Sequence, residues 1–106
     1  MDKRAEEKVR KLTQNQAKVL KAVIFPNTNI GSIVPGSYIS GASGLTQNAL
    51  GGTVSALQRN DIISPIGRDN RQYNWELIDK DLIAAKKEDP DALKNMLNRI
   101  TGEDKK

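Results

Sequence analysis

The stretch ISGASGLTQNALGGTVSAL, residues 39–57, contains the end of one helix, a tight turn and the start of a second helix. Gly44 can end the first helix, because glycine adopts a left-handed backbone without a steric penalty. Thr46 can begin the second helix as its N-cap, since its hydroxyl can accept a hydrogen bond from a first-turn amide. Three apolar residues then recur at the spacing of one helical face: Leu50, Val54 and Leu57. The stretch therefore predicts two short helices joined by a turn.

Two adjacent glycines, Gly51 and Gly52, lie inside the second helix, where each costs about 1 kcal/mol relative to alanine. Three explanations stay open. The missing side chains allow a partner to approach the helix backbone, or Gly51 packs closely against the small residues 41–43 of the preceding helix. In the third explanation residues 46–52 are partly loop, and the helix begins near Thr53.

The preceding sequence predicts a helix, a short extended segment and another helix. Thr13 is a good N-cap, and Gln16, three residues later, completes a capping box. An apolar stripe continues this helix to about Phe25, where a proline follows. Residues 30–34 are expected to be extended, and residues 35–43 to form a short helix.

The following sequence predicts a β-hairpin. Residues 62–66 and 72–77 are rich in strand-forming side chains, and the polar segment 67–71 between them predicts a five-residue loop. Three residues of the second strand alternate and are expected to face the core: Tyr73, Trp75 and Leu77.

Further helices are predicted at both ends of the chain. Residues 3–11 have helical spacing, although a frayed charged tail is the alternative. Residues 79–89 look helical, and Pro90 begins a last helix that Gly102 can cap. That helix has an apolar stripe that is unfavourable in water: Leu93, Met96, Leu97 and Ile100. We interpret the stripe as a homodimer interface, with folding back onto the same domain as the alternative.

This order of elements resembles a winged helix-turn-helix domain, and the turn strengthens the resemblance. ISGASGLT, residues 39–46, is similar to that family's pattern of an apolar residue, a small residue, three more, then Gly, Leu and Ser/Thr. The similarity covers about residues 12–78 and points to bacterial and archaeal regulators of the multiple-antibiotic-resistance repressor (MarR-like) type. The chain departs from the pattern at Asp61, usually glycine in these proteins, and at the glycine pair.

The resemblance implies a mainly α fold with a small β-hairpin (α+β) and terminal helices. The expected domains are a charged arm or helix over 1–11, a winged helix-turn-helix domain over 12–78, and a C-terminal helical dimerisation segment over 79–106. Residues 46–59 would then be the recognition helix, which enters the DNA major groove.

Under this resemblance, base-reading residues lie on the outer face of the recognition helix. The amides of Gln47 and Asn48 match the donor and acceptor edge of adenine, and Gly52 and Ser55 lie on the same face. The expected contacts to the DNA backbone are Ser37, Thr46, Arg59, Arg68, Asn70 and Arg71.

The charge pattern requires that cations outside the recognition helix meet the phosphates. The net charge is +4, yet this helix has no Lys or Arg before Arg59. Arg68 and Arg71 in the hairpin are the favoured sources, because nonspecific DNA affinity comes mainly from cations. Other candidates lie near the first helix and at the N-terminus: Lys18, Lys21, Lys3, Arg4, Lys8, Arg10 and Lys11.

Composition argues against an enzyme. The chain has no histidine and no cysteine, which removes the commonest general base and the commonest metal ligands, so we expect no cofactor and no metal. We also expect no membrane span and a cytoplasmic, nucleoid-associated location. The resulting prediction is a sequence-specific protein for double-stranded DNA, a dimeric transcriptional regulator that reads an inverted repeat. The alternatives are a plasmid or phage partition or replication site-binding protein, and a protein–protein interaction module.

Overall fold

A computed structural model describes residues 1–69 and 72–103 of the chain. Within these residues the protein has six helices and one three-stranded antiparallel sheet, so the expected mainly α class with a small β component is confirmed. The elements in chain order are α1 (Lys3–Arg10), α2 (Gln14–Ile24), β1 (Ile33–Pro35), α3 (Gly36–Ser43), α4 (Gln47–Arg59), β2 (Ile63–Asp69), β3 (Gln72–Leu77), α5 (Lys80–Glu88) and α6 (Pro90–Thr101).

The sheet is larger than the predicted hairpin. The extended segment β1 pairs with β3, which also pairs with β2, so the strand order is β1-β3-β2. The predicted five-residue loop 67–71 is wrong, because the β2–β3 pairing continues to Asp69 opposite Gln72. A bulge between Pro65 and Gly67 shifts the register of β2. Such a bulge adds one residue to a strand and lets pairing resume beyond it.

Helix α2 lies at the centre of the fold. Its N-terminus has the predicted capping box: Thr13 Oγ1 accepts from the Gln16 amide at 3.1 Å, and Gln16 Oε1 accepts from the Thr13 amide at 3.0 Å. Six of its side chains are buried, and the helix packs against α3, α4, α6 and β3. A helix that is apolar around most of its surface is typical of such a central position.

The terminal helices belong to the same core as the rest of the chain. Residues 3–10 form a regular helix that begins at the N-cap Asp2, so the expectation of a frayed tail does not apply to them. The helices α1, α5 and α6 each contribute buried apolar side chains to one continuous cluster with α2: Ala5, Val9, Leu82, Ala85, Leu93 and Leu97.

The prediction that Leu93 and Leu97 form a dimer interface is wrong. Both side chains are 0% exposed within a single chain, where they pack into the core. Burying one leucine side chain stabilises a fold by about 1.5–3 kcal/mol, and α6 gains this by packing against α2. Met96 and Ile100, the other members of the stripe, are only partly buried.

An ion-pair cluster joins α1 to the start of α5. Lys8 Nζ lies 2.7 Å from Asp79 Oδ2 and 2.8 Å from Asp81 Oδ2. Asp79 is buried and is also the N-cap of α5, because its Oδ1 accepts from the Leu82 amide at 3.0 Å. Hydrogen bonds, first to Asp79 and then to Asp81, raise the pKa of Lys8, and the bond from Lys8 lowers the pKa of Asp81. The charge of Lys8 is therefore paired within this cluster, and the prediction that Lys8 supplies charge for DNA phosphates is wrong.

Candidate nucleic-acid interface

The turn between α3 and α4 is built by the residues that the sequence indicated. Gly44 ends α3 with a left-handed backbone, at φ 68°. Thr46 is the N-cap of α4, with Oγ1 accepting from the Ala49 amide at 3.3 Å. After α4, Asp61 has a φ of 58°, a conformation that Asp tolerates better than most residues. These local features fix where α4 begins and ends.

Among residues 1–69 and 72–103, no packing contact explains the glycine pair. Helix α4 begins at Gln47, so both glycines lie within regular helix and the explanation by a partial loop is wrong. A Cβ built on Gly51 or on Gly52 would meet nothing within 4 Å, so the explanation by close packing on α3 is also wrong. Gly36 shows the contrast, because a Cβ there would lie 3.0 Å from the Tyr73 carbonyl oxygen.

Helix α4 has one outward row and one inward row. Thr53 and Leu57 are buried, and Thr53 Oγ1 donates to the Ala49 carbonyl at 2.7 Å. The outward row consists of exposed residues that follow helical spacing: Asn48, Gly52, Ser55 and Arg59. The row holds an amide, a bare backbone position, a hydroxyl and a guanidinium, so it is polar but only weakly charged.

A groove separates α4 from the sheet. Its volume is about 560 Å³, and we call it the hairpin groove. One wall comes from α4 and the other from β2 and β3: Gln47, Gly51 and Ser55 face Pro65, Tyr73 and Trp75. Leu50 and Val54 supply further apolar lining. Gln47 therefore lies on the groove side of α4, whereas Asn48 lies on the outward row.

A second groove, of about 480 Å³, lies on the opposite side of α4, and we call it the α2 groove. Gly52 and Ala56 line it from α4, and residues 13–16 line it from the first turn of α2. The two glycines thus open two different grooves. Between these grooves, α4 stands out as a ridge whose crest is the outward row.

Arg68 lies on the hairpin face that continues the hairpin groove. Arg68 pairs with Tyr73 in the β2–β3 ladder, two residues along β3 from the groove residue Trp75. Its guanidinium carbon lies 5.5 Å from the Tyr73 ring centre, and the Tyr73 ring packs edge-on against Trp75. Such cation–π contacts restrict where a guanidinium points.

Sequence reasoning did not assign Tyr73 to the site. Its alternation with Trp75 and Leu77 predicted a core position, yet its side chain is 48% exposed. The first two residues of β3 are exposed and burial increases further along the strand, so the core does not cover this face of the sheet at Tyr73. The sequence signal for an exposed Tyr73 was its place at the start of the strand, next to the polar segment 67–71, rather than its alternation with Trp75 and Leu77.

The remaining predicted contacts surround α4 unevenly. Thr46 is exposed at its N-terminus, and Arg59 is exposed at its last turn. Ser37 is exposed in the first turn of α3, next to Gly36, where an added Cβ would lie 3.0 Å from the Tyr73 carbonyl oxygen. The predicted contacts Asn70 and Arg71 lie outside the described residues.

The sequence of α2, α3 and α4 contains no acidic residue. Between Glu7 and Asp61 the chain has no Asp or Glu, and its only charged residues there are cations. Of those cations, Lys8, Arg10 and Lys21 form ion pairs with carboxylates outside this stretch. An anion approaching α3 or α4 therefore meets no carboxylate from either helix.

The terminal helices carry a separate cleft, of about 550 Å³, between α1 and α6. Met96 and Ile100 line this cleft together with Glu6, Arg10 and Arg99.

Among the residues described, no helix is long and apolar enough to cross a membrane. Within the same residues, no group of three or more acidic side chains is arranged to hold a metal ion.

Comparisons with known proteins return no relatives. No protein-family model, no curated protein and no solved structure matches this chain.

Proposed function

We propose that the chain binds double-stranded DNA through α4, as a winged helix-turn-helix protein that regulates transcription from a specific site. The order α2, β1, α3, α4, β2, β3, with β1 paired to β3, supports this architecture. In the proposal α4 is the recognition helix and the β2–β3 hairpin is the wing. The protein acts by binding rather than by catalysis, in the cytoplasm on the nucleoid.

The observation that carries the proposal is the glycine pair on an exposed helix. Two glycines cost about 2 kcal/mol of helix stability relative to alanine, and none of the described residues occupies the space beside them. A partner that approaches the backbone of α4 explains why side chains are missing there. The α-helix fits the major groove, which is about 12 Å wide.

The two grooves beside α4 leave room for duplex DNA on both sides of the helix when α4 enters a major groove. The α2 groove offers exposed polar groups from the first turn of α2, and the hairpin groove leads to Arg68. In this arrangement the DNA sugar–phosphate backbone is contacted near the ends of the helices by Thr46, Ser37 and Arg59. Contacts to phosphates position a protein on the duplex, whereas side chains that reach base edges provide specificity.

We further propose that the protein is a homodimer that reads an inverted repeat. The cleft between α1 and α6 exposes Met96 and Ile100 and holds both signs of charge, Glu6 beside Arg10 and Arg99. In a two-fold dimer the Met96 and Ile100 side chains of one copy would pack against the same cleft of the other copy, and the charged side chains would lie at its edge. The paired recognition helices would lie about 34 Å apart, one turn of DNA.

The decisive experiment is selection from a random duplex pool, followed by fluorescence anisotropy on the selected site across about 50–200 mM salt. Specific binding with a linear fall of log K against log salt is expected, because each phosphate contact releases counterions from the DNA. An inverted repeat among the selected sites supports the dimer. Absence of any salt-dependent duplex binding would refute the proposal and leave a protein–protein interaction module.

A plasmid or phage protein that marks a partition or replication site would use the same contacts. The weak charge of α4 is also compatible with a protein partner. The acid-free stretch from Lys8 to Asn60 favours a polyanion over such a partner.

A further inference from the structure

We infer that α4 recognises A·T base pairs, with its amides on adenine and with thymine methyl groups packed against the bare backbone at Gly51 and Gly52. This inference rests on the proposed function and names the kind of DNA sequence that the site reads.

The surface at the glycine pair is apolar although it contains no side chain. Within regular helix the backbone N–H and C=O groups are bonded along the helix, which leaves mainly Cα hydrogens to face outward. In the major groove the projecting apolar group is the C5-methyl of thymine, because the other base-edge groups there are donors or acceptors. A polar edge pressed onto the glycine surface would lose its hydrogen bonds to water without replacement.

The amides stand at matching positions. Gln47 precedes Gly51 by four residues, and Asn48 precedes Gly52 by four, so the backbone of each amide residue lies about 6 Å along the helix axis, just over one turn, from a glycine. Asn and Gln bind adenine through N6 and N7, and the thymine of that pair or of the next presents its methyl in the same groove. Each amide and glycine together therefore match the two features that distinguish an A·T pair.

The composition of α4 points away from guanine. Arg and Lys are the usual partners of guanine O6 and N7, and α4 has neither before its last residue, Arg59. Base readout in a helix-turn-helix protein comes mainly from the N-terminal part of the recognition helix.

The test replaces thymine by uracil, one position at a time, in the selected site and measures affinity by anisotropy. Uracil differs from thymine only in the missing methyl. At one or two positions we expect about a fourfold loss, the fold-change for about 0.8 kcal/mol per buried carbon. Equal affinity for uracil at every position would overturn the inference while duplex binding itself stands.

The variant Gly52→Ala adds the complementary measurement, because it puts a methyl group on the protein where the DNA methyl is proposed to lie. We expect this variant to lose affinity for the thymine site and to recover it on the site with uracil at the sensitive position. Gly41→Ala is the matched control: Gly41 is an exposed helical glycine in α3 with nothing within 4 Å of an added Cβ.

The two proposals fail differently. If Gly52→Ala binds thymine and uracil sites like the unchanged protein, the methyl contact is refuted but DNA binding is not. If the selected sites are rich in G·C at the contacted positions, the A·T preference is likewise refuted. If no duplex is bound by any variant, the proposed function fails and the inference fails with it.

Discussion

Arg68 lies directly across the β2–β3 ladder from Tyr73, and its guanidinium carbon is 5.5 Å from the centre of the Tyr73 ring. The ring is itself supported by an edge-on contact with Trp75, at 6.1 Å between ring centres. An arginine near the end of β2 is thus held over an aromatic face that belongs to the folded sheet. Pre-positioning of this kind reduces the side-chain entropy that is lost on binding.

The first prediction concerns this support. Tyr73→Leu should weaken binding to all duplexes, because Arg68 keeps its charge but loses the ring that orients it. Tyr73→Phe keeps the ring and should bind like the unchanged protein. Arg68→Ala should weaken binding further and make the slope of log K against log salt shallower by about 0.9, one phosphate contact. A Tyr73→Leu protein with unchanged affinity would show that the stacked geometry is irrelevant to binding.

The second prediction separates base reading from backbone contact. Asn48→Ala and Gln47→Ala should each weaken binding to the selected site by about 1–3 kcal/mol and leave random duplex affinity nearly unchanged. Asn48 lies on the outward row and Gln47 on the groove side, so the larger loss is expected at Asn48. Equal losses on both kinds of DNA would show that these amides do not read bases.

The third prediction concerns stability at the glycines. Gly52→Ala should raise the free energy of unfolding by up to about 1 kcal/mol, because the helix there is regular and the added methyl meets nothing. Gly44→Ala should have the opposite effect, since the φ of Gly44 is 68° and alanine is strained there. Urea denaturation of both variants measures this difference. Destabilisation by Gly52→Ala would mean that the backbone at this position is not helical.

The fourth prediction concerns the ion-pair cluster of Lys8, Asp79 and Asp81. The lowered pKa of Asp81 means that its stabilising contribution is fully present above the usual carboxyl pKa of 3.8 and is lost as pH falls through the lowered value. The raised pKa of Lys8 gives a contribution that is present below 10.5 and lost as pH rises through the raised value. Chemical denaturation across pH measures both limits.

Asp81→Asn should therefore lower the free energy of unfolding at pH 7. It should also reduce the difference between the free energy of unfolding at pH 7 and that at acidic pH. Glu88→Gln, an exposed carboxylate change on the same helix, serves as the control and should leave that difference unchanged. Lys8→Met should be more damaging than either, because it leaves the buried carboxylate of Asp79 without its cation. A Lys8→Met protein as stable as the unchanged chain would show that the cluster does not hold α1 in place.

The fifth prediction concerns association. The double variant Met96→Asp and Ile100→Asp should be a folded monomer by light scattering and circular dichroism, because both side chains line the open cleft between α1 and α6. Leu93→Asp should instead unfold the chain, since that side chain is 0% exposed. An unchanged protein that is already monomeric, or a double variant that still dimerises, would exclude this cleft as the interface.

The sequence alone predicted the structural elements whose determining interactions are local. The capping box at Thr13, the left-handed glycines at the ends of α3 and α6, and the Thr46 cap each depend on residues within one turn of each other. For this reason the helix boundaries and the turn before α4 could be predicted closely. The outward face of α4 followed from its apolar spacing for the same reason.

Only the tertiary structure decided what those elements pack against. An apolar stripe requires burial but does not specify its partner, so the stripe of α6 is equally compatible with a dimer interface. In the folded chain Leu93 and Leu97 are buried and α6 packs on α2. The register of the hairpin depends on a bulge in β2. The ion pairs of Lys8 involve carboxylates more than seventy positions away, and the exposure of Tyr73 depends on how far the core extends along β3. Hydrophobic burial and ion pairing act between groups that are distant along the chain, and one sequence does not state which distant groups meet.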